Sequence, residues 1–232
     1  MSSNETTPPS TKPGAAVYRS WVVTYTYDLV VLKFSNTFAW RCPTTTTLVP
    51  FFKSHIQPDC TSHLDIGVGS GYYPAVCSLP PSTSLTLVDL NQNSLNAASA
   101  RFNRPASTTC ILHDITTPLP TSTRYDSISL MYLLHCMPGP PSHKARIIFA
   151  HLKHNLQPDG TLFGSTILGK GVRHNLLGKA LMWYYNYTGI FGNEGDGAEG
   201  VLDALREEFE VVEGRVVGTV LLFVARGPRV GG

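Results

Sequence analysis

The stretch His63-Leu64-Asp65-Ile66-Gly67-Val68-Gly69-Ser70-Gly71-Tyr72 decides the fold. Four residues of strand-forming pattern run straight into G-x-G-x-G. Glycine at such places lets the chain turn sharply and lets backbone approach a ligand closely. A side chain at Gly67 or Gly69 is expected to intrude on space that a ligand needs. A strand, a Gly-rich turn and a following helix place that ligand at the carboxyl edge of an open α/β sheet. The glycine spacing narrows the ligand. A dinucleotide fingerprint needs G-x-G-x-x-G, and here Tyr72 stands at its third glycine. A P-loop needs Gly-Lys-Ser/Thr, which is absent. A tight turn with no ligand would also satisfy the loop taken alone.

Outward from the loop, strands and helices alternate. Leu85–Asp89, Cys110–His113, Asp126–Leu133 and Thr161–Leu168 read as strands. Ser94–Phe102 (N-cap Asn93), Ser142–Leu156, Asn175–Tyr187 and Ala198–Phe209 read as helices. Pro158-Asp159-Gly160 is a turn signal. Val211–Val217 and Thr219–Ala225 read as two strands joined tightly near Gly218, so they are antiparallel. The expected fold is α/β, a Rossmann-like doubly wound sheet, mainly parallel, ending in an antiparallel hairpin. Before it, Tyr25–Ala39 and Thr47–His55 read as helices of an N-terminal cap. The expected organisation is a polar, Pro-rich disordered tail at 1–15, a helical cap at 16–60 and the core at 61–232.

Composition agrees with a globular chain of 232 residues, 42% apolar and 15% charged. The formal net charge is +2 and there is no Lys/Arg stripe, which argues against a nucleic-acid partner. No apolar run reaches the roughly 18 residues that span a bilayer. Cys42, Cys60, Cys77, Cys110 and Cys136 are scattered singly, with no C-x-x-C. Free thiols in a reducing compartment, the cytoplasm, explain them better than disulfides or zinc. Their simplest role is as small buried apolar residues. No histidine pair has metal-ligand spacing.

Two acids follow the loop. Asp89 ends an apolar strand, where a carboxylate can accept both hydroxyls of a ribose, or can simply lead the next helix. Asp114, after the following strand, can accept from an adenine amino group or can shape a turn.

In order, these segments resemble the class I S-adenosylmethionine-dependent methyltransferases. Asp65-Ile-Gly-Val-Gly-Ser-Gly71 resembles their first motif, Val88-Asp89-Leu90-Asn91 the ribose-binding acidic motif, and Asp114-Ile115 the adenine contact. Asp126–Leu130 resembles the strand that closes the cofactor site. Leu156-Gln-Pro-Asp-Gly160 resembles the turn before the fifth strand, with Asp159 where glycine is usual. Tyr27-Asp28, Phe38–Pro43, Tyr132–Gly139 and Tyr185–Phe191 resemble small microbial, often fungal, natural-product methyltransferases.

The resemblance implies S-adenosylmethionine as cofactor and a small-molecule acceptor, with O-methylation of a secondary metabolite expected. It implies cofactor contacts at Asp65, Gly67, Gly69, Gly71, Asp89, Leu90, Asp114, Ile115 and Tyr132. Arg41 is either a partner for the cofactor carboxylate or a surface arginine. His135, just beyond a strand end, is either a general base for a hydroxyl acceptor or a histidine bonded to backbone. His113 and His174 are weaker candidates. Trp40, Tyr72, Tyr73, Tyr132, Trp183, Tyr184, Tyr185, Tyr187 and Phe191 are available to wall a dry site. The alternative is a methyltransferase fold that binds the cofactor while catalysing a non-transfer reaction such as cyclisation. A nicotinamide oxidoreductase and a non-enzymatic binding module fit the motifs less well.

Overall fold

The computed structural model describes residues 28–229. Seven strands form one sheet in the order β3-β2-β1-β4-β5-β7-β6. They are β1 (Ser62–Ile66), β2 (Ser84–Asp89), β3 (Thr108–Leu112), β4 (Tyr125–Met131), β5 (Leu156–Ile167), β6 (Phe209–Val217) and β7 (Val220–Pro228). The first five are parallel, and β7 runs antiparallel to both β5 and β6. Val217 pairs with Val220 across Gly218, whose positive φ suits so short a connection. The order of strands along the sheet reverses at β1, with β2 and β3 added on one side and β4 and β5 on the other, which opens a crevice at the carboxyl ends of these parallel strands.

The central strands are buried on both faces, so each feeds two cores. Leu64, Ile66, Ile128, Leu130 and Leu162 pack with α4 (Pro141–Leu152) and α6 (Ala198–Glu208). On the opposite face Leu85, Leu87 and Phe163 meet α1 (Val49–Ser54), α2 (Tyr72–Val76) and α3 (Gln92–Phe102). Trp40, Leu48, Phe51 and Phe52 belong to this second core, so the described part of the N-terminal region shares it.

Several boundaries move, each for a local reason. The helix expected from Tyr25 is described from Asp28 to Ala39 and is wound as a π-helix, as is Thr44–Leu48. Its expected start and the expected tail lie outside the described residues. The N-cap of α3 is Asn91, whose side chain accepts the Asn93 N–H at 2.9 Å. Strand β4 stops at Met131 because Tyr132 takes φ +61° and the chain enters a 3-10 turn at Leu134–Cys136. The helix expected to reach Leu156 ends at Leu152. The turn expected at 158–160 is absorbed into β5 as an irregularity, since Tyr125 pairs with Leu156 but Ser127 with Thr161. Asn175 caps α5 (Leu176–Tyr187) by accepting the Gly178 N–H at 2.7 Å. All five cysteines are free, and Cys110 is exposed where a buried role was expected.

Candidate active site

A cavity of about 300 Å³ lies over the carboxyl ends of β1, β2 and β4. Its lining is mostly apolar. One end is formed by the 65–73 loop, Val88–Leu90 and His113–Ile115. The other is formed by Met131–Met137, Tyr185, Ile190 and Phe191, with Ser35, Asn36 and Trp40 across the top.

At the first end, Gly67 and Gly71 take φ +69° and +68°. A Cβ on Gly67 would lie 2.7 Å from Leu133 Cδ1, and one on Gly71 would lie 2.6 Å from Ala98 Cα. The missing side chains therefore make room for the protein's own packing. The loop is pinned by backbone and carboxylate. Gly67 N–H donates to Val88 O at 2.8 Å, and Gly69 N–H to Asp89 Oδ2 at 3.3 Å. Asp89 Oδ1 accepts the Asn91 N–H at 2.9 Å. Burial outweighs these donors and pushes the Asp89 carboxyl up to about 6. Asp89 thus leads the next helix and also lines the cavity. Asp114 shapes a turn and also lines the cavity. Its Oδ1 accepts the Thr116 N–H and hydroxyl at 2.9 and 2.8 Å, and the residue lines the cavity between His113 and buried Ile115. Leu90 is 41% exposed at the rim.

Asp65 is buried on the cavity floor and accepts a hydrogen bond from Ser129 Oγ. Burial pushes its carboxyl up to about 7, and the Asp89 charge acts in the same direction. Ser129 also lies 3.1 Å from His63 Nε2, and His63 Nδ1 lies 2.7 Å from Ser127 Oγ. Burial pushes His63 down to about 3, so this inner histidine is neutral.

At the second end, His135 is 3% exposed and stands edge-on to Phe191, ring centroids 4.5 Å apart. Its Nδ1 accepts the Ile167 N–H at 3.4 Å, which assigns the ring proton to Nε2. Burial, together with the nearby Lys144 ammonium, holds its pKa down at about 3. The imidazole is therefore neutral at pH 7, a weak proton acceptor bonded to backbone, which is the second of the two roles its position allows. Tyr132 stands edge-on to the same ring, centroids 5.5 Å apart.

The wall carrying Ile190 and Phe191 is tied down from behind. Gly192 N–H donates to His135 O at 2.8 Å. Lys144 Nζ donates to Met137 O and Gly192 O at 3.0 and 2.8 Å and pairs with Asp196 at 2.7 Å. Both charged groups are buried, the arrangement in which an ion pair must be well hydrogen-bonded to be tolerated.

Two expectations are corrected. Arg41 is exposed and outside the cavity lining, because φ +52° turns it outward to donate to Arg173 O at 3.2 Å. Trp183, Tyr184 and Tyr187 point to solvent, at 67%, 50% and 78% exposure, and so cannot wall the cavity. His113 lines it, whereas His174 bonds Leu168 O and packs against Trp40 outside it. Sequence reading missed Ser35, Asn36 and the Lys144–Asp196 pair. Nothing in their spacing links them to the motifs, since distant segments bring them together.

Residues 64–164 match the family model described as a methyltransferase domain. Methyltransferase aurB of Calcarisporium arbuscula is 44% identical over 94% of this chain and 99% of its own. The chain belongs to the S-adenosylmethionine-dependent methyltransferases. The physcion biosynthesis cluster O-methyltransferase of Aspergillus chevalieri is also 44% identical to this methyltransferase, over 94% and 97% of the two chains. N-methyltransferase vrtF of Penicillium aethiopicum is 42% identical over 82% and 78%. Among solved structures, N-methyltransferase NodS of Bradyrhizobium japonicum WM9 with S-adenosyl-L-homocysteine shares the methyltransferase fold. Its TM-score is 0.58 at 17% identity, over 82% of this chain and 92% of that one.

Proposed function

We propose that this methyltransferase methylates a hydroxyl oxygen on a small, largely apolar secondary metabolite. The observation that carries the reading is the aromatic compartment around a neutral His135. With Nδ1 facing the Ile167 N–H, the Nε2–H is the edge left for a ligand. An oxygen can accept that hydrogen bond and keep another lone pair for attack. An amine nitrogen has only one lone pair, which the same hydrogen bond would occupy. The relative named an O-methyltransferase supports this reading, and the relative named an N-methyltransferase marks the alternative outcome.

The residues at the first end suit S-adenosylmethionine. Asp89 lines the cavity and offers its carboxylate to ribose hydroxyls beside its backbone donors. Leu90 and Ile115 offer apolar faces for a purine, and Asp114 an acceptor for its amino group. Gly67 and Gly69 bring backbone to the cavity, with Asp65 on the floor below, while Gly71 lies outside the lining and packs on Ala98. Ser35, Asn36 and Tyr132 stand where Arg41 does not, and they take over the polar end of the cofactor. S-adenosylmethionine, when bound, supplies an electrophilic methyl on a sulfonium.

The chain's own work is then to orient the acceptor and exclude water. Phe191, Tyr185 and Trp40 keep the second end dry, and His135 holds the acceptor oxygen. A histidine held near pKa 3 is a poor store for the acceptor's proton. A phenol or enol that ionises readily by itself is the acceptor such a site suits.

Incubating the purified protein with methyl-labelled S-adenosylmethionine and a panel of phenols, enols, amines and carboxylic acids tests the proposal. Methyl ethers should appear with equal amounts of S-adenosylhomocysteine. Methylation of amines alone would overturn it. Product formed without S-adenosylhomocysteine would favour the non-transfer reaction.

A further inference from the structure

Helix α5 is apolar on both sides, although among the described residues only one side is covered. Leu177, Leu181, Met182 and Tyr185 pack against the second core. On the other side Leu176, Ala180, Trp183, Tyr184 and Tyr187 form a stripe at helical spacing, all exposed. Leu176 is 85% exposed, and the Trp183 and Tyr187 rings stack with centroids 5.5 Å apart. Asn175 Nδ2 donates to Phe38 O at 2.6 Å, which brings exposed Phe34 and Phe38 to the start of the stripe. A helix with apolar residues all round ordinarily has something against each face.

The charges around this stripe indicate what that partner is. Lys33, Arg41, Lys170, Arg173 and Lys179 are exposed on the helix or on the segments touching its start. From Gly160 to Asn193 the sequence contains no Asp or Glu. Glu194 stands at the far end, in a shallow groove with Trp183 and Tyr187. A second copy packed antiparallel here would offer Glu194 as the acid at hand against these five cations. Anionic headgroups answer all five. Exposed Trp, Tyr, Phe and Leu bordered by Lys and Arg form the pattern of a helix lying in a membrane interface.

We infer that the exposed face of Leu176–Tyr187, with Phe34 and Phe38, docks on an anionic lipid surface. Among the described residues no helix is long and apolar enough to cross a membrane, so the contact is a surface one. The same helix lines the cavity through Tyr185, which sets the acceptor compartment beside the layer where an apolar metabolite dissolves. The docking itself does not depend on which group is methylated.

Co-sedimentation of the full chain with vesicles tests this. One set is pure phosphatidylcholine, and the other carries about 30% phosphatidylserine, enough for a negative surface potential. Binding to the second set, weakened by salt, is expected. Arg173→Ala and Lys179→Ala should each weaken it about fivefold. Trp183→Glu with Tyr187→Glu should weaken it by roughly tenfold or more, while S-adenosylhomocysteine affinity stays the same. These side chains are exposed, so the variants should fold. Absence of binding to either vesicle would overturn the inference, as would equal binding to both. So would a dimer in light scattering that binds no vesicles and that Trp183→Glu with Tyr187→Glu dissolves.

Discussion

The two ends of the cavity are built from different materials. The end proposed for the cofactor is three consecutive strand tips, and its shape is held by backbone N–H groups, glycine turns and the Asp89 carboxylate. The end proposed for the acceptor is a set of rings from three separate parts of the chain, Trp40, His135, and Tyr185 with Phe191. It is held by side-chain packing and by the buried Lys144–Asp196 pair behind it. Backbone geometry changes little when surface residues change, whereas a ring wall changes shape with every substitution. One end can therefore serve a fixed ligand while the other adapts to a variable one.

That contrast can be broken at its strongest point first. Gly71→Val forces a β-branched residue into φ +68° and drives its Cβ into the backbone of Ala98. Left-handed strain of about 1–2 kcal/mol and overpacking of about 1–3 kcal/mol should add, seen as a lower denaturation midpoint together with lost cofactor binding. Asp89→Ala should weaken S-adenosylhomocysteine binding by about 1.5–3 kcal/mol in calorimetry. Acceptor KM should hardly move in that variant. Phe191→Ala is its mirror image. Acceptor KM should rise severalfold, by roughly 1 kcal/mol for a ring only partly buried, with cofactor affinity unchanged. If either variant moves both parameters equally, the two ends are not separable.

The smallest expected effect is on pH dependence. Burial places the Asp89 carboxyl at about 6, so it gains a proton as pH falls from 7 to 5. The protonated form is a weaker acceptor for ribose hydroxyls. Cofactor affinity should therefore fall over that window, by at most about tenfold per unit, and Asp89→Asn should flatten the curve. A wild-type affinity independent of pH between 5 and 7 would separate Asp89 from the ribose.

The same contrast explains what could be read from the sequence. Strand tips are contiguous, so Asp65–Gly71, Asp89–Leu90 and Asp114–Ile115 appear as short motifs in chain order, and the sheet follows from their alternation with helices. Gly67 was legible as a turn residue, but its neighbour Leu133 was not, because that contact spans two strands. The acceptor end has no such contiguity. Lys144 and Asp196 meet only because α4 and the segment after α5 fold onto each other. Arg41 was misplaced because its left-handed turn cannot be read from its neighbours. Trp183 and Tyr187 have the composition of a wall, but helical phase turns them outward. His135 was found by position, yet its neutrality depends on burial and on Lys144, which are tertiary facts.

A crystal structure of the complex with S-adenosylhomocysteine tests the division of the cavity most directly. The ribose should lie at Asp89 and the purine between Leu90 and Ile115, leaving the compartment of His135, Tyr185 and Phe191 open for an acceptor. Adenosine seated against Phe191 and His135, with Asp89 untouched, would contradict it.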